Sequence, residues 1–522
     1  MSPIKRRSKG KQNTDIQQDA DTLDLPNVSV YSDIEANIKQ IESIFVKSPE
    51  LVTKIVQHAP IPYSFAFLRT LANEGRVDEN ITEPLAEWQS KPKPDEEHSK
   101  SVSSIESLIK HLNVSSEITK ITSYKQVVDG LLDGQVILFV QDQEMALNIP
   151  VEPTSSFRQV NEAQIQTLVR GPREGFVEDI DTNMSLLRRR LRNPMLRFQP
   201  MNVGKETHTK VIVSYLDDIV DREVLNTIIA RLQSIEKNKI LDSGMLEELI
   251  EDPNYTPFPT IKATERPDVA AGDILDGRVV IMVDGSPFAL LAPATFVSFF
   301  HSAEDYYEKF ELATFMRSIR LLAFWVSLAF PATYIAVTTF HAEVLPTNIL
   351  INLAAQREGV PFPAFMEVFL MEVIFELLRE AGIRMPRPIG SAISIVGALV
   401  IGEAAVQAGL ISAAMVIVVS LTAISSFISP YYAFSGTIRL LRFLLIFFAT
   451  IGGFFGMVVF TIALIIHLSN ITSIGHSYLS PVAPLKISRL KDVLFRFPLW
   501  WDKTNLYKKM KSLKYRNRRI GP

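Results

Sequence analysis

The chain has 522 residues, with 54 Lys and Arg set against 57 Asp and Glu for a formal charge of −3. It contains no cysteine, which excludes disulfides, thiolate metal sites and cysteine nucleophiles. The 47% hydrophobic fraction conceals a division, because the first 316 residues have a globular composition and the apolar excess follows them.

Residues 1–26 are basic, then rich in Gln and Asp, without apolar periodicity, and are expected to be disordered. They lack the apolar core of a signal peptide, so the N-terminal part is expected to stay cytoplasmic. Residues 27–130 read as a helical subdomain with a linker at 90–104. Val28–Leu71 reads helical because Ile34, Ile38, Ile41 and Ile44/Phe45 recur at three- and four-residue steps. Residues 131–316 read as a mixed α/β subdomain. Lys210–Tyr215 is a short β-rich run, and Asp221 is placed to cap a helix over Arg222–Leu232. The expected fold is therefore an α+β/α/β head of two subdomains followed by an all-α polytopic membrane domain.

Two segments match without gaps at an offset of 143: Leu132-Asp133-Gly134, Val136, Val140, Ala146-Leu147 and Pro150 coincide with Leu275-Asp276-Gly277, Val279, Val283, Ala289-Leu290 and Pro293. Each reads as strand, turn, strand. They are either related hairpins in similar subdomains or a chance match of generic ones.

The membrane domain is expected over 317–475. Leu321–Phe340 is twenty residues without a charge, preceded by Arg317 and Arg320, and about 20 apolar residues cross a bilayer core. Spans are expected at 321–341, 389–409, 410–429 and 440–468, with an embedded amphipathic region at 345–380. On a helical wheel Glu372, Glu376, Arg379 and Glu380 form a polar stripe, while Glu367 sits in the apolar arc. Glu367 either pairs with Arg357 or Arg384 or marks an ion route. In 389–409 the small residues Gly390, Ser391, Ser394, Gly397, Ala398 and Gly402 share one face, which either seals a helix seam or lines a pore. Glu403 and Gln407 lie one turn apart on the bulkier face. Four spans place Arg379, Arg384 and Arg387 outside, against the positive-inside rule, whereas counting 361–380 makes five. The tail, 476–522, carries twelve Lys/Arg and two Asp from Pro481 onward. It reads as cytoplasmic and facing anionic lipid or an acidic partner, rather than nucleic acid.

No nucleotide, zinc-protease or serine-hydrolase motif is present, and the eight histidines are scattered. No cofactor or metal is expected, and the reading is non-enzymatic. His301 and His341 flank the apolar region, where a solvated or interfacial role is the default. Arg188-Arg189-Arg190 with Arg192 is expected to pair with Glu174, Glu178 and Asp179 at a helix end, with phosphate binding as the alternative.

Several strings occur in order: Gly171-Pro172-Arg173-Glu174-Gly175-Phe176, Thr182-Asn183, Pro257-Phe258-Pro259, Thr264-Glu265-Arg266-Pro267-Asp268, Gly277–Pro293, Leu345-Pro346-Thr347-Asn348 and Arg357–Pro363. Together they resemble the signature of the A subunit of GerA-type spore germinant receptors. The resemblance implies one subunit of a nutrient receptor in the spore inner membrane. It also implies a transporter-like B subunit and a lipoprotein C subunit as partners, and a homo-oligomer around an ion channel. On that reading the small residues at 390–402 face the path or its seam, with Glu367 and Glu403 as charged neighbours. Arg173, Glu174, Thr264, Glu265, Arg266 and Asp284 hold the head together or meet partners. A non-conducting scaffold and a secondary transporter are the rival readings.

Overall fold

The structure is a computed structural model that describes residues 28–46, 48–57, 61–90, 108–109, 112, 114, 117–152, 162–163, 165–384, 402–485, 492–493 and 495–498. The expectations for residues 1–26, for most of the 90–104 linker and for 385–401 lie outside the described residues. The chain divides into two compact units at Ser155/Ser156.

The first unit opens with α1 (Ile34–Phe45), capped by Asp33, whose carboxylate accepts from the Ala36 amide. Two strands follow, β1 (Leu51–Val56) and β2 (Tyr63–Leu68), so the helical reading of Val28–Leu71 holds only for its first part. Every residue of β2 is buried, Ser64 included, so both faces are covered and no apolar-polar strand period is left to read. Helices α2 (Glu74–Val77) and α3 (Glu83–Ser90) join through one π-helical turn. Then come β3 (Thr119–Ile121), α4 (Tyr124–Leu132), β4 (Val136–Val140) and β5 (Ala146–Ile149). Region 27–130 is thus mixed rather than helical, and its sheet is completed by residues assigned above to the next subdomain. The sheet order is β1-β2-β4-β5-β3, antiparallel throughout. Ile137 and Phe139 of β4 pack with α1 and α4 on one face, while Val136, Leu138 and Val140 pack with Phe65, Phe67 and Ile81 on the other.

The second unit begins with the same plan. Helix α5 (Ile180–Arg190) precedes β6 (Leu196–Val203) and β7 (Thr209–Leu216). Helices α6 (Arg222–Ser234), with its Asp221 cap, and α7 (Ser243–Ile250) come next. They lead to β8 (Lys262–Thr264), α8 (Pro267–Leu275), β9 (Val279–Val283) and β10 (Ala289–Ala292). The order β6-β7-β9-β10-β8 repeats that of the first sheet. Thr119 and Lys262, Tyr124 and Pro267, Val136 and Val279, and Ala146 and Ala289 open equivalent elements, each 143 residues apart. The matching hairpins are therefore the best-preserved part of a duplicated domain.

A 3-10 turn (Phe296–Phe300) and the short α9 (Glu304–Tyr307) lead into the helical part of this unit. It comprises α10 (Phe310–Thr339), α11 (Thr347–Arg357), α12 (Ala364–Arg384), α13 (Gly402–Gln407), α14 (Ala413–Ser426) and α15 (Tyr432–Asn470). The embedded 345–380 region is two helices. Glu372 of its polar stripe is buried, Glu376 and Arg379 are partly buried and Glu380 is exposed, while Glu367 of the apolar arc is buried and Phe369, Leu370 and Leu377 are exposed.

The run expected as one span at 440–468 is a helical hairpin. Gly452 and Gly453 leave the helical conformation in the middle of α15. Phe434 and His467 would be about 50 Å apart on a straight helix, yet both rings lie 6.4 Å from Phe258. Phe448 and Phe460, on opposite legs, have ring centroids 5.5 Å apart. At the tip Gly453 has φ +55°, and a Cβ there would sit 2.7 Å from the His341 ring at the end of α10. A Cβ on Gly456 would overlap the Phe448 carbonyl oxygen.

The first residues of the basic tail are folded. Strands β11 (Thr472–Ser473) and β12 (His476–Ser477) close the second leg, and Tyr478 is fully buried, its carbonyl accepting from Phe296 N at 2.8 Å. The tip gives a direct test by thermal unfolding of the detergent-purified chain. Gly453→Ala and Gly456→Ala are expected to cost about 2–3 kcal/mol each, through strain and backbone overlap. Gly452→Ala, whose Cβ would find its nearest neighbour at 3.8 Å, is expected to be close to neutral.

Candidate functional site

The sequence motifs of the second sheet domain converge on one place. Arg266, 2% exposed, stands just before α8. Its guanidinium donates to Gln166 O at 3.3 Å, Pro172 O at 2.7 Å and Asp268 Oδ2 at 2.8 Å. Thr264 donates to the Gln166 side chain at 2.7 Å, and Glu265 accepts from Ile165 N at 3.2 Å. The Glu265 carbonyl accepts from Phe176 N at 2.6 Å. Thr264, Glu265 and Arg266 therefore staple the 165–176 loop, with its Gly-Pro-Arg-Glu-Gly-Phe string, onto β8. Arg173 pairs with Glu162 at 3.3 Å and Glu174 with Arg190 at 2.7 Å, both at the loop's exposed rim. Asp284 accepts from Ile180 N at 3.4 Å and so tethers α5 to the β9–β10 turn. Arg188 is fully buried and donates to Asn193 O at 2.7 Å and Leu196 O at 2.9 Å.

This staple reaches the helical part through Asp268, which accepts from Tyr307 Oη at 2.5 Å. Gly171 fits beneath the same ring: its φ is +136°, and a Cβ would lie 2.7 Å from Tyr307. Two residues earlier, Asp305 is 1% exposed and binds Arg317 at 3.0 Å and Arg320 at 2.8 Å, both on α10. Burial alone pushes the Asp305 carboxyl up, but hydrogen bonds and charge from Arg320 and Arg317 outweigh it and hold the carboxyl below its usual range. Arg317 also reaches Asp492 of the tail at 2.8 Å, and Tyr306 donates to the same carboxylate at 2.5 Å. His301 is half-buried rather than solvated, its Nε2 donating to Val493 O at 2.9 Å. Burial, followed by the nearby Arg317 charge, pulls its pKa down to about 4.

A second link runs from β8 to the start of α15. Lys262 pairs with Asp273 at 2.9 Å and lies 5.5 Å over the Tyr431 ring. Arg278 binds the other Asp273 oxygen at 3.0 Å. Burial raises the Asp273 carboxyl, but the Arg278 and Lys262 charges overcome it and set the carboxyl below its ordinary value. Around these ions Phe258, Phe296, Phe299, Phe300, Phe324 and Phe434 pack ring to ring. Thr437 donates to the Pro257 carbonyl, and His467 bonds Thr256 at 2.9 Å. Asp252 accepts from Thr472 and from Gly475 N.

Within the helices Glu367 meets one of its two expected arginine partners. Its carboxylate pairs with Arg357 at 3.3 Å and accepts from Ser412 N at 3.0 Å, fully buried. Glu403 is exposed and accepts from Gln407 at 3.1 Å. Gly402 is buried against Val416 of α14. Gly390, Ser391, Ser394, Gly397 and Ala398 lie outside the described residues. Sequence reasoning missed Asp305, Tyr307, Arg439 and Arg442. The acids at 372 and 376 and the arginines at 439 and 442, each pair one turn apart, were the available signal for the last two.

These features define, in the second unit, an antiparallel α/β domain locked to a helical bundle, and in the first unit a second domain of the same sheet plan. Two bundle helices, Phe310–Thr339 and Tyr432–Asn470, are long and apolar enough to cross a membrane, which supports membrane association. Residues 39–506 match the family model described as Bacillus/Clostridium GerA spore germination protein. The chain belongs to this family. It is 42% identical over 449 residues to spore germination protein KA of Bacillus subtilis (strain 168), covering 86% of this chain and 81% of that protein. It is 39% identical over 375 residues to spore germination protein A1 of the same organism, covering 72% and 78%. The uncharacterized membrane protein YfkQ, also from that organism, is 41% identical over 399 residues, covering 76% and 77%. Among solved structures, the N-terminal domain of the A subunit of the Bacillus megaterium spore germinant receptor GerK3 aligns at TM-score 0.40 and 27% identity, covering 52% of this chain and 98% of that one.

Removing the Asp305 carboxylate leaves two arginines without their buried counter-charge. Asp305→Ala is therefore expected to cost about 3–5 kcal/mol in thermal or denaturant unfolding. His301 adds a pH dependence of known sign. The unfolded imidazole protonates near 6.5, whereas the folded one resists until about 4. Its contribution is complete above about pH 6.5 and lost as pH falls toward 4. Unfolding midpoints measured across that window are expected to fall less with acid in His301→Gln than in the parent.

Proposed function

We propose that this chain is the A subunit of a nutrient receptor in the spore inner membrane. In this reading it is non-enzymatic and assembles with copies of itself around an ion path that opens during germination. A transporter-like B subunit and a lipoprotein C subunit, implied by the family resemblance, would receive the nutrient and bias the equilibrium between closed and open packings. The observation that carries the reading is the continuous contact from the loop at 165–176 through Asp268 and Tyr307 to Asp305, Arg317 and Arg320 on α10. A soluble domain joined so tightly to an apolar helix is built to transmit displacement.

The fold-back of α15 supports a particular topology. With α12 and the 389–409 run each taken as one crossing and α15 as two, the bundle crosses six times. Sheet domain and tail then share the cytoplasmic side, and Arg379 and Arg384 fall there too, as the positive-inside rule requires. Helix α11 buries no residue within the chain and exposes Ile349 and Ile351, leaving a surface for lipid or a second copy.

Planar-bilayer recording of the purified complex tests conduction. A cation current altered by Ser394→Leu or Glu367→Gln is expected. A silent complex would favour the scaffold, and stoichiometric substrate counter-flow the transporter. Tyr307→Phe, which deletes only the bond to Asp268, is expected to slow nutrient-triggered ion release in spores at unchanged protein level.

A further inference from the structure

The inward face of α12 carries a ladder of charges. Glu367 meets Arg357 of α11, Glu372 meets Arg442 and Glu376 meets Arg439, the last two on the first leg of α15. The next turn of α12 presents Arg379, which forms no ion pair among the described residues, although the Glu376 charge one turn back acts on it. One Arg379 nitrogen donates to Ser426 Oγ at 3.2 Å, and its guanidinium lies 4.4 Å over the Phe427 ring. The other terminal nitrogen is buried without a partner, as are Nε of Arg439 and Nε and Nη2 of Arg442, four unpaired donor atoms against two unpaired acceptors, Oε1 of Glu372 and Oε1 of Glu376. Glu380, one residue on, is already paired with Arg384 at 2.7 Å. Arg379, Arg439 and Arg442 thus face Glu372 and Glu376 with one positive charge in excess.

We propose that this open rung is an anion site for a phosphate group, supplied by the headgroup of an anionic membrane phospholipid. The inference rests on the bilayer embedding of the bundle but not on ion conduction. Charge sets the ligand class, because buried guanidinium N–H groups need an acceptor and phosphate oxygens match that fork. Depth and surroundings set the source. Arg439 lies two residues beyond Thr437, which bonds the sheet domain at Pro257, so the rung sits at the domain-proximal end of the bundle, level with headgroups. The guanidinium of Arg379 lies over Phe427 and that of Arg439 over Tyr432, two rings that are themselves exposed and give glycerol and acyl chains an apolar surface beside the rung. Basic pockets between helices at the cytoplasmic face recognise headgroups in this way.

Native mass spectrometry of the full detergent-purified chain, titrated with phosphatidylglycerol, phosphatidylcholine or inorganic phosphate alone, tests the site. The parent is expected to retain phosphatidylglycerol in preference to phosphatidylcholine. Arg379→Gln should weaken that retention about fivefold, the factor one interfacial arginine carries. Arg379→Lys should fall between them, and the exposed Arg384→Gln should match the parent. Thermal unfolding of each variant identifies any that fail to fold, and Arg379→Lys keeps the comparison valid if Arg379→Gln does. Binding of inorganic phosphate with the same variant order would support the anion site and assign it a free ion instead. Equal phosphatidylglycerol retention by parent and Arg379→Gln would overturn the proposal and leave the receptor reading intact. A chain that stays monodisperse without detergent would overturn both.

Discussion

A single buried carboxylate, Asp305, ties the three parts of the second unit together. Its two oxygens hold Arg317 and Arg320 in the opening turns of α10, and Arg317 in turn holds Asp492 of the tail. Taking these charges out of water costs several kcal/mol per ion unless each is fully paired. The arrangement therefore tolerates little displacement: moving α10 away from α9 strands at least one guanidinium. Because Tyr307 follows two residues later and bonds Asp268, the same geometry passes into the sheet domain.

The duplication shows which charges the fold needs and which belong to the junction. At the positions 143 residues earlier, the first sheet domain has Thr119, Ser123, Lys125, Gly130 and Gln135 where the second has Lys262, Arg266, Asp268, Asp273 and Arg278. Both copies build the same five-stranded sheet in the same order. The architecture thus forms without these ion pairs, which occur in the copy belonging to the second unit. That difference shows that the Thr-Glu-Arg-Pro-Asp string is not required to build the sheet plan itself.

The sequence exposed the helices and the repeat more readily than the strands. Ile34, Ile38 and Ile41 mark a one-sided helix because only one face of α1 is buried, whereas both faces of the sheets are covered and the alternation vanishes into runs such as Val-Ile-Leu-Phe-Val at β4. The α15 hairpin was hidden for a related reason: its turn is made by two glycines inside an apolar stretch, with none of the polar residues that mark a solvated loop. Glu367 was legible as a buried acid with Arg357 among its candidate partners, since both lie close in sequence. Glu372 and Arg442 are 70 residues apart, and no local pattern links them. The small-residue face at 390–398 carries no spatial assignment, as it lies outside the described residues.

Those long-range pairs explain why the bundle has a defined register. Helices packed only through apolar side chains in lipid can slide, because hydrocarbon solvates Leu as well as a neighbouring helix does. The ladder forbids this for α12 and α15. A shift of one residue would separate Glu372 from Arg442 and Glu376 from Arg439 together, leaving four charges unpaired in a buried seam. A full-turn shift would instead place Arg379 opposite a position where Arg439 or Arg442 has moved, setting like charges face to face. Only discrete arrangements of these two helices survive such constraints, in place of a smooth continuum of offsets.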